Sequence, residues 1–383
     1  MFFQTLSNKI ETVYWYEGEI LNLLPKNIQL YTWSYNHYLK NYINIDYLSL
    51  YEEKSNFEEC IPNDYWDEYS TKKNVLLHNL NALANAKIDI NISPWWNLIP
   101  YTVLDEYCNT KNKIFDFILK TKNKPSYYDL LYNTCCLLKN IEFKTSDFKH
   151  VTIYDMFGTI TGRLVTRKPG VPVLTMSKIE RKQIKPSTFD GMFLSLDYNA
   201  FEVRVLLGLV GENQPYGDLH TWNNTNIFKH CLSKYDTSIL ERQTAKKKFF
   251  AWLYSNDYNE QLESVYKKNK LIEKFYKNKK IINGYGKEIE CDKERALNYL
   301  IQSTAAFLFY EQALKIYNYL ISGNYKSFIR FLIHDDIVID LEIEEKRLAK
   351  ELVEVFANTR YGYFPINVKI GTNLRDIKVL TRQ

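Results

Sequence analysis

Much of what would narrow this chain to other classes is missing from it. No apolar run approaches the roughly 20 residues that a membrane span needs, so a membrane partner is not expected. The first residues, Met1 to Ser7, lack the basic-then-apolar pattern of a secretory signal. The six cysteines (Cys60, Cys108, Cys135, Cys136, Cys231, Cys291) form no C-x-x-C pair. Reduced thiols in a cytoplasmic compartment are therefore expected, rather than a disulfide framework or a zinc ribbon. There is no internal repeat and no low-complexity linker, and residues 1–150 contain no D-x-E triplet.

What is present is a long chain rich in rings. The 383 residues include 31 Tyr, 21 Phe and 7 Trp, enough for a large core with subdomains or for a surface that stacks bases. The net charge of +5 is uneven. Residues 1–100 hold 7 Lys and Arg against 12 Asp and Glu, and residues 101–383 hold 43 against 33. The basic part suits a polyanion, although a solvated surface has the same composition.

The pattern along the chain is α+β. Residues 1–100 carry five of the seven Trp, broken by turns at Ile61-Pro62 and Ser93-Pro94, with little periodicity. Between Val103 and Asn140 two helical patterns flank a lysine-rich stretch ending at Pro125, predicting a helical hairpin with a basic tip. Further on, Met192–Tyr198 reads as a buried strand ending in a carboxylate, and Glu202–Val210 as a helix. Glu241–Tyr254 reads as a basic helix and Asp292–Ile321 as a long one. Phe328–Ile333 and Ile337–Leu341 read as strands around the polar turn His334-Asp335-Asp336. This order calls for a mixed or antiparallel sheet.

Two features carry chemistry. Asp197 and Asp335 each end an apolar strand, where a carboxylate is costly without a partner. Two carboxylates with substrate phosphates make a typical Mg²⁺ site; a solvent-exposed strand end is the alternative for either one alone. Arg242, Lys246, Phe250 and Tyr254 recur every four residues along one helix stripe, two cations and then two rings. Cations suit a triphosphate, and rings suit a sugar and base. An ordinary amphipathic helix fits equally well.

Taken together, the segments resemble the family A, DNA polymerase I-like DNA polymerases. Asp197-Tyr-Asn-Ala-Phe-Glu202-Val-Arg204 is similar to their motif A. Arg242-xxx-Lys246-xxx-Phe250-Ala-x-x-Tyr254 is similar to motif B, and His334-Asp335-Asp336 to motif C. Thr161-Gly-Arg163-Leu resembles the T-G-R-L element before motif A, and Asp218-Leu-His220-Thr221 the D-x-H-T segment before motif B. Arg295-Ala-Leu-Asn298 with Gln302-Ser-Thr-Ala-Ala resembles the stretch before motif C, and Gly371-Thr-Asn373 the closing G-x-N-W. All occur in the family's order. Departures are Asp336 for the usual Glu, Ala251 and Ser255 for two glycines, and a short stretch from Tyr254 to Gln302. The segment Gly170–Ser177 is closer to divergent phage-type members.

The resemblance implies a right-hand polymerase: an antiparallel palm sheet with helical fingers and thumb. It divides the chain into residues 1–100 of unknown role, a thumb-like hairpin at 101–150, and a palm and fingers core at 151–383, with fingers at about 206–286. It implies a DNA-directed DNA polymerase extending a primer 5′→3′ from dNTPs. Asp197 and Asp335, with the Tyr198 carbonyl, would hold two Mg²⁺, for which Mn²⁺ can substitute. Glu202, His220, Arg242, Lys246, Phe250 and Tyr254 would bind the nucleotide. Arg163, Arg295, Asn298, Gln302 and His334 would bind primer-template DNA. The basic runs Arg163–Lys185 and Lys267–Lys280 would add charge toward phosphates, with a solvated face the alternative for the second. The missing D-x-E implies no 3′→5′ exonuclease of its own. The acidic balance and Trp content of residues 1–100 suit docking of a separate exonuclease or processivity subunit. A single-subunit RNA polymerase, or a non-catalytic DNA-binding replisome subunit, are the rival readings.

Overall fold

The computed structural model describes residues 1–33, 45–145, 150–228, 242–255 and 257–382. Cys231 and Glu241 lie outside them; the five described cysteines are free thiols. The chain divides into two compact units, Met1–Lys139 and Asn140–Gln383.

The first unit has more regular structure than its sequence pattern suggests. Strands β1 (Phe3–Ser7), β2 (Thr12–Tyr16) and β3 (Glu19–Leu21) form an antiparallel meander. Helix α1 (Asn63–Asn85) packs on α2 (Tyr101–Thr121). The periodicity of α1 is faint because apolar residues are spread round it, with Trp66, Val75 and Leu77 exposed and only Tyr69 and Leu76 buried. Of the five Trp, Trp15, Trp33 and Trp96 are core residues and Trp66 is exposed. The inference that tryptophans mark a docking surface therefore loses most of its support, since rings of this size are chiefly filling the interior. The next helix, α3, spans Tyr128–Lys144.

In the second unit, β4 (Met192–Tyr198) is the middle strand of a five-stranded antiparallel sheet. On one side lies the hairpin β5 (Phe328–Ile333) and β6 (Asp336–Leu341). On the other lie β7 (Ile366–Gly371) and β8 (Lys378–Arg382), giving the order β5-β6-β4-β7-β8. Phe193, Leu194, Ser195 and Leu196 are all buried, so β4 is an unbroken apolar run rather than an alternating one. Helix α4 (Phe201–Val210) leaves β4 directly, α5 (Leu219–Asn226) follows, and α6 (Arg242–Tyr254) packs on α5. The 30-residue α7 (Lys293–Ser322) packs against α4 and α8 (Leu348–Ala357), and α8 lies on β4 and β7. The α+β class and the antiparallel sheet are as the sequence predicts.

Candidate active site

The strand-to-helix turn after β4 sets the site. Asp197 is the penultimate residue of the strand, and Tyr198 ends it with a buried ring. That ring stacks between Phe201, 4.5 Å away, and Phe356, 4.1 Å away, and its hydroxyl donates to the Phe356 carbonyl at 2.6 Å. A ring clamped on both faces holds the adjoining main chain in place. Ala200 then turns with φ of 54°, the left-handed region that a side chain rarely adopts, and α4 begins. Arg204, fully buried, donates to the carbonyls of Asn199 (2.8 Å), Pro215 (3.0 Å) and Gly217 (2.6 Å). It thereby ties the turn to the segment leading into Asp218.

The β5–β6 hairpin brings the second aspartate. Ile333 pairs with Asp336, leaving His334 and Asp335 as the two-residue turn, with His334 at φ 57°. The Tyr198 amide donates to the Asp335 carbonyl at 3.4 Å, which joins the end of β4 to the hairpin turn. The Asp335 carboxyl is pushed up to about 6, first by burial and then by the charges of Asp197 and Glu202. Carboxylates crowded in this way favour a cation among them.

Asp336 lies directly across from Asp197 in the strand register. Its carboxylate accepts the Ser195 hydroxyl at 2.8 and 2.9 Å and is pushed up to about 7, mainly by burial. Register also places Asn367 across from Asp197 on the other side, and Lys369 across from Ser195. Residues opposite one another share a face, so one sheet face carries Ser195, Asp197, Asp336, Asn367 and Lys369. Lys369 Nζ lies 2.8 Å from Asp197 Oδ2, and Asn367 Nδ2 lies 3.3 Å from it. Lys369, Asn367 and Arg204 do not figure in the expected site. The alternation Asn367-Val-Lys369 shows a strand with a polar face, but what lies across from it depends on register.

Helix α5 opens with Asp218 as its N-cap, accepting from the Thr221 amide at 2.8 Å. The same carboxylate receives Arg242 in a fork, Nε at 2.9 Å and Nη2 at 2.6 Å, and accepts Asn199 Nδ2 at 3.1 Å. These donors hold its pKa far below the usual carboxylate range, although burial opposes them most. His220 is buried, with its ring 5.9 Å from Phe250. Its imidazole is pushed down to about 4 by burial, then by Lys246 and the nearby arginines, against the pull of Asp218. It is neutral at pH 7, with Nδ1 lacking a hydrogen-bond partner.

Lys246, Phe250 and Tyr254 keep the stripe on α6 that their spacing predicts, whereas Arg242, its first member, is turned onto Asp218. Lys246 Nζ sits 6.0 Å from the Phe250 ring centre, and Phe250 and Tyr254 stack at 6.1 Å with 17° between planes. Ala245, Phe249, Trp252 and Leu253 bury the opposite side. Arg163, Glu202, His220, Lys246, Phe250, His334 and Asp335 all line one cavity of about 510 Å³. Arg242 lines a neighbouring cavity of about 390 Å³ with Asn199, Asp218 and Lys369. Asn298 and Gln302 line neither; they bond to one another at 2.7 Å on α7. The exposed Arg295 borders a third cavity with Lys279 and Tyr299.

One part of the basic surface needs correcting. In the run Lys267–Lys280, Lys268 is buried rather than facing solvent or nucleic acid. Lys267 is paired with Glu212.

Among the described residues no three or more His, Cys, Asp or Glu side chains gather as a metal cage. The available donors are two carboxylates and a main-chain carbonyl. That set fits Mg²⁺, which keeps waters and takes substrate phosphates rather than needing an all-protein cage. No helix among the described residues is long and apolar enough to cross a membrane.

No family model matches the chain. It is 24% identical over 280 residues to DNA polymerase I of Borreliella burgdorferi, covering 62% of this chain and 30% of the relative. It is 25% identical over 296 residues to DNA polymerase I of Caldicellulosiruptor bescii, covering 66% and 34%. The chain thus spans about a third of the length of the relatives it matches. Among solved structures it aligns with the POL domain of Pol1 from M. smegmatis in complex with DNA primer-template and dNTP. That alignment has a TM-score of 0.49 and 13% identity, covering 86% of this chain and 66% of that one. The motif series and the two sequence relatives make the chain similar to part of the DNA polymerase I proteins.

Proposed function

We propose that this chain is a DNA-directed DNA polymerase that extends a primer 5′→3′ from dNTPs. The observation that carries the reading is the joining of Asp197 and Asp335, from the motif A and motif C segments, beside the Lys246–Phe250–Tyr254 stripe.

Asp197, Asp335 and the Tyr198 carbonyl would hold two Mg²⁺, or Mn²⁺ in their place. Bound there, the ions supply Lewis acidity toward the primer 3′-hydroxyl and the leaving pyrophosphate. The chain's own groups do the rest by position and charge. Arg242 and Lys246 offer cations to the triphosphate one helix turn apart. His220, whose buried Nδ1 has no hydrogen-bond partner, lines the same cavity as Lys246, and a polyphosphate there would favour its charged form. Phe250 offers a flat apolar face to the sugar and Tyr254 one to the base pair. Glu202, in the first turn of α4, stands where a ribose 2′-hydroxyl would meet it. Arg163, Arg295, Asn298, Gln302 and His334 contact the primer-template without reading its sequence.

In this reading residues 151–383 are palm and fingers, with fingers at about 206–286, and 101–150 form a thumb-like hairpin. The chain has no proofreading exonuclease, acts in the cytoplasm and resembles phage-type members. The acidic balance of residues 1–100, rather than their largely buried tryptophans, supports engagement of a separate exonuclease or processivity subunit there.

The test is extension of a labelled primer by the purified chain with Mg²⁺ and either dNTPs or rNTPs. Extension with dNTPs, lost in Asp197→Ala and in Asp335→Ala while DNA binding persists, is the expected result. Preference for rNTPs would move the chain to the RNA polymerases, and inactivity of the parent would leave a DNA-binding subunit.

A further inference from the structure

Lys268 is a lysine in an unusual place. It is 5% exposed, and its ammonium donates three hydrogen bonds to main-chain carbonyls: Trp252 at 2.8 Å, Ser255 at 3.0 Å and Asp257 at 3.1 Å. An ammonium has three hydrogens, so all are used. It also lies 4.5 Å from the centre of the Trp252 ring. Trp252 is in the last turn of α6, and Ser255 immediately follows that helix. The last carbonyls of a helix lack intrahelical donors and carry the negative end of its dipole. Lys268 brings a cation and donors there from a separate segment, at the start of the helix Lys268–Phe275, while the Trp252 carbonyl also accepts the Ser255 amide and hydroxyl at 3.3 Å.

The surroundings make this a fixed point. Tyr266, two residues earlier, packs 4.8 Å from Phe249 and 6.1 Å from Trp252. Its hydroxyl donates to Asn223 Oδ1 on α5 at 2.6 Å. Ser255 Oγ accepts the Asp257 amide at 3.1 Å, closing the turn around the ammonium. The end of α6 that bears Tyr254 is thus held by packing on one side and by the Lys268 charge at its tip. Tyr254 itself is 47% exposed and stacked on Phe250. Phe250 lies one turn back on the same helix, so where the end of α6 stands sets where the stacked Tyr254 ring stands.

We propose that Lys268 is a positioning residue for base-pair selection: it anchors the C-terminal turn of α6 and through it sets Tyr254 against the nascent pair. This rests on the polymerase reading above. A ring meant to reject a misshapen pair must itself stand still, and displacement by a fraction of an ångström at such a position is enough to lose discrimination.

The experiment compares single-nucleotide insertion of matched and mismatched dNTPs by the parent, Lys268→Met, Lys268→Gln, Tyr254→Ala and Lys268→Met/Tyr254→Ala. Lys268→Met keeps the buried stem and removes the three donors. It should raise the mismatched-to-matched ratio of kcat/KM about tenfold, chiefly through a higher KM for the matched dNTP. Lys268→Gln, which keeps an N–H donor, should fall between it and the parent. The double variant should be no less selective than Tyr254→Ala, because Lys268 acts through that ring. An unchanged ratio with both rates lowered alike overturns the proposal and leaves Lys268 as a stabilising contact; so does a double variant showing the product of the two single effects. If the parent extends no primer, the polymerase reading fails instead, which separates the two.

Discussion

Arg163 and Glu202, 39 residues apart in the chain, form an ion pair on the wall of the 510 Å³ cavity. The family resemblance assigns one to DNA and the other to the sugar, yet in the structure they hold each other. The pairing gives Glu202 a fixed orientation, and a fixed carboxylate is a better barrier to an extra hydroxyl than a mobile one.

Glu202→Ala should therefore raise ribonucleotide incorporation relative to dNTP by at least tenfold. Arg163→Ala should move the same ratio in the same direction but less far, with weaker DNA binding besides. Single-turnover incorporation of matched rNTP and dNTP measures both. A uniform loss of rate, with the ratio intact, would mean that Glu202 is a packing residue.

Phe250 has no hydroxyl to replace the 3′-hydroxyl missing from a dideoxynucleotide. Phe250→Tyr should raise dideoxynucleotide use severalfold relative to dNTP, read from chain-termination ratios. Unaltered ratios would place the sugar away from this ring.

Lys369 stands as the resident cation of Asp197, at 2.8 Å. A divalent ion at Asp197 must share or displace that contact, so Lys369→Met should bind Mn²⁺ severalfold more tightly in the absence of DNA. Calorimetric titration or the loss of free Mn²⁺ resonance reports this without turnover. Weaker binding in the variant would show that Lys369 instead supports the ligand set.

Asp340 offers a clean pH readout away from the carboxylate cluster. It is 2% exposed on β6, accepts the Ser187 amide at 3.0 and 3.2 Å, and is pushed up to about 6, chiefly by burial. An acid whose folded pKa lies above its ordinary 3.8 adds stability at low pH, and the fold loses it as pH rises from about 4 through 6. Across that window the parent should lose up to about 3 kcal/mol relative to Asp340→Asn. Urea unfolding at pH 4 and pH 7 measures the difference. Parallel pH dependence in the two proteins would rule out a raised carboxyl at this position.

The sequence by itself determined the strand Met192–Tyr198, the Lys246–Phe250–Tyr254 stripe, a polar turn between two strands and the α+β order, because each depends on local pattern, although Asp336, expected in that turn, opens the second strand and pairs with Ile333. An apolar run, a four-residue recurrence and a polar break between two strands are short-range properties of the chain. It also placed motif residues in the right order. Tertiary structure alone decided which groups meet. Lys369 and Asn367 reach Asp197 through strand register, since a shift of one residue would turn both to the other face. Asp218 became the partner of Arg242, and Arg163 that of Glu202, because three separate segments converge on the turn after β4. Lys268 is the clearest case: within a lysine-rich run it looks like any solvated cation. Only the folded chain brings three main-chain carbonyls to its ammonium, and the hydrogen bonds it donates to them offset the cost of its burial.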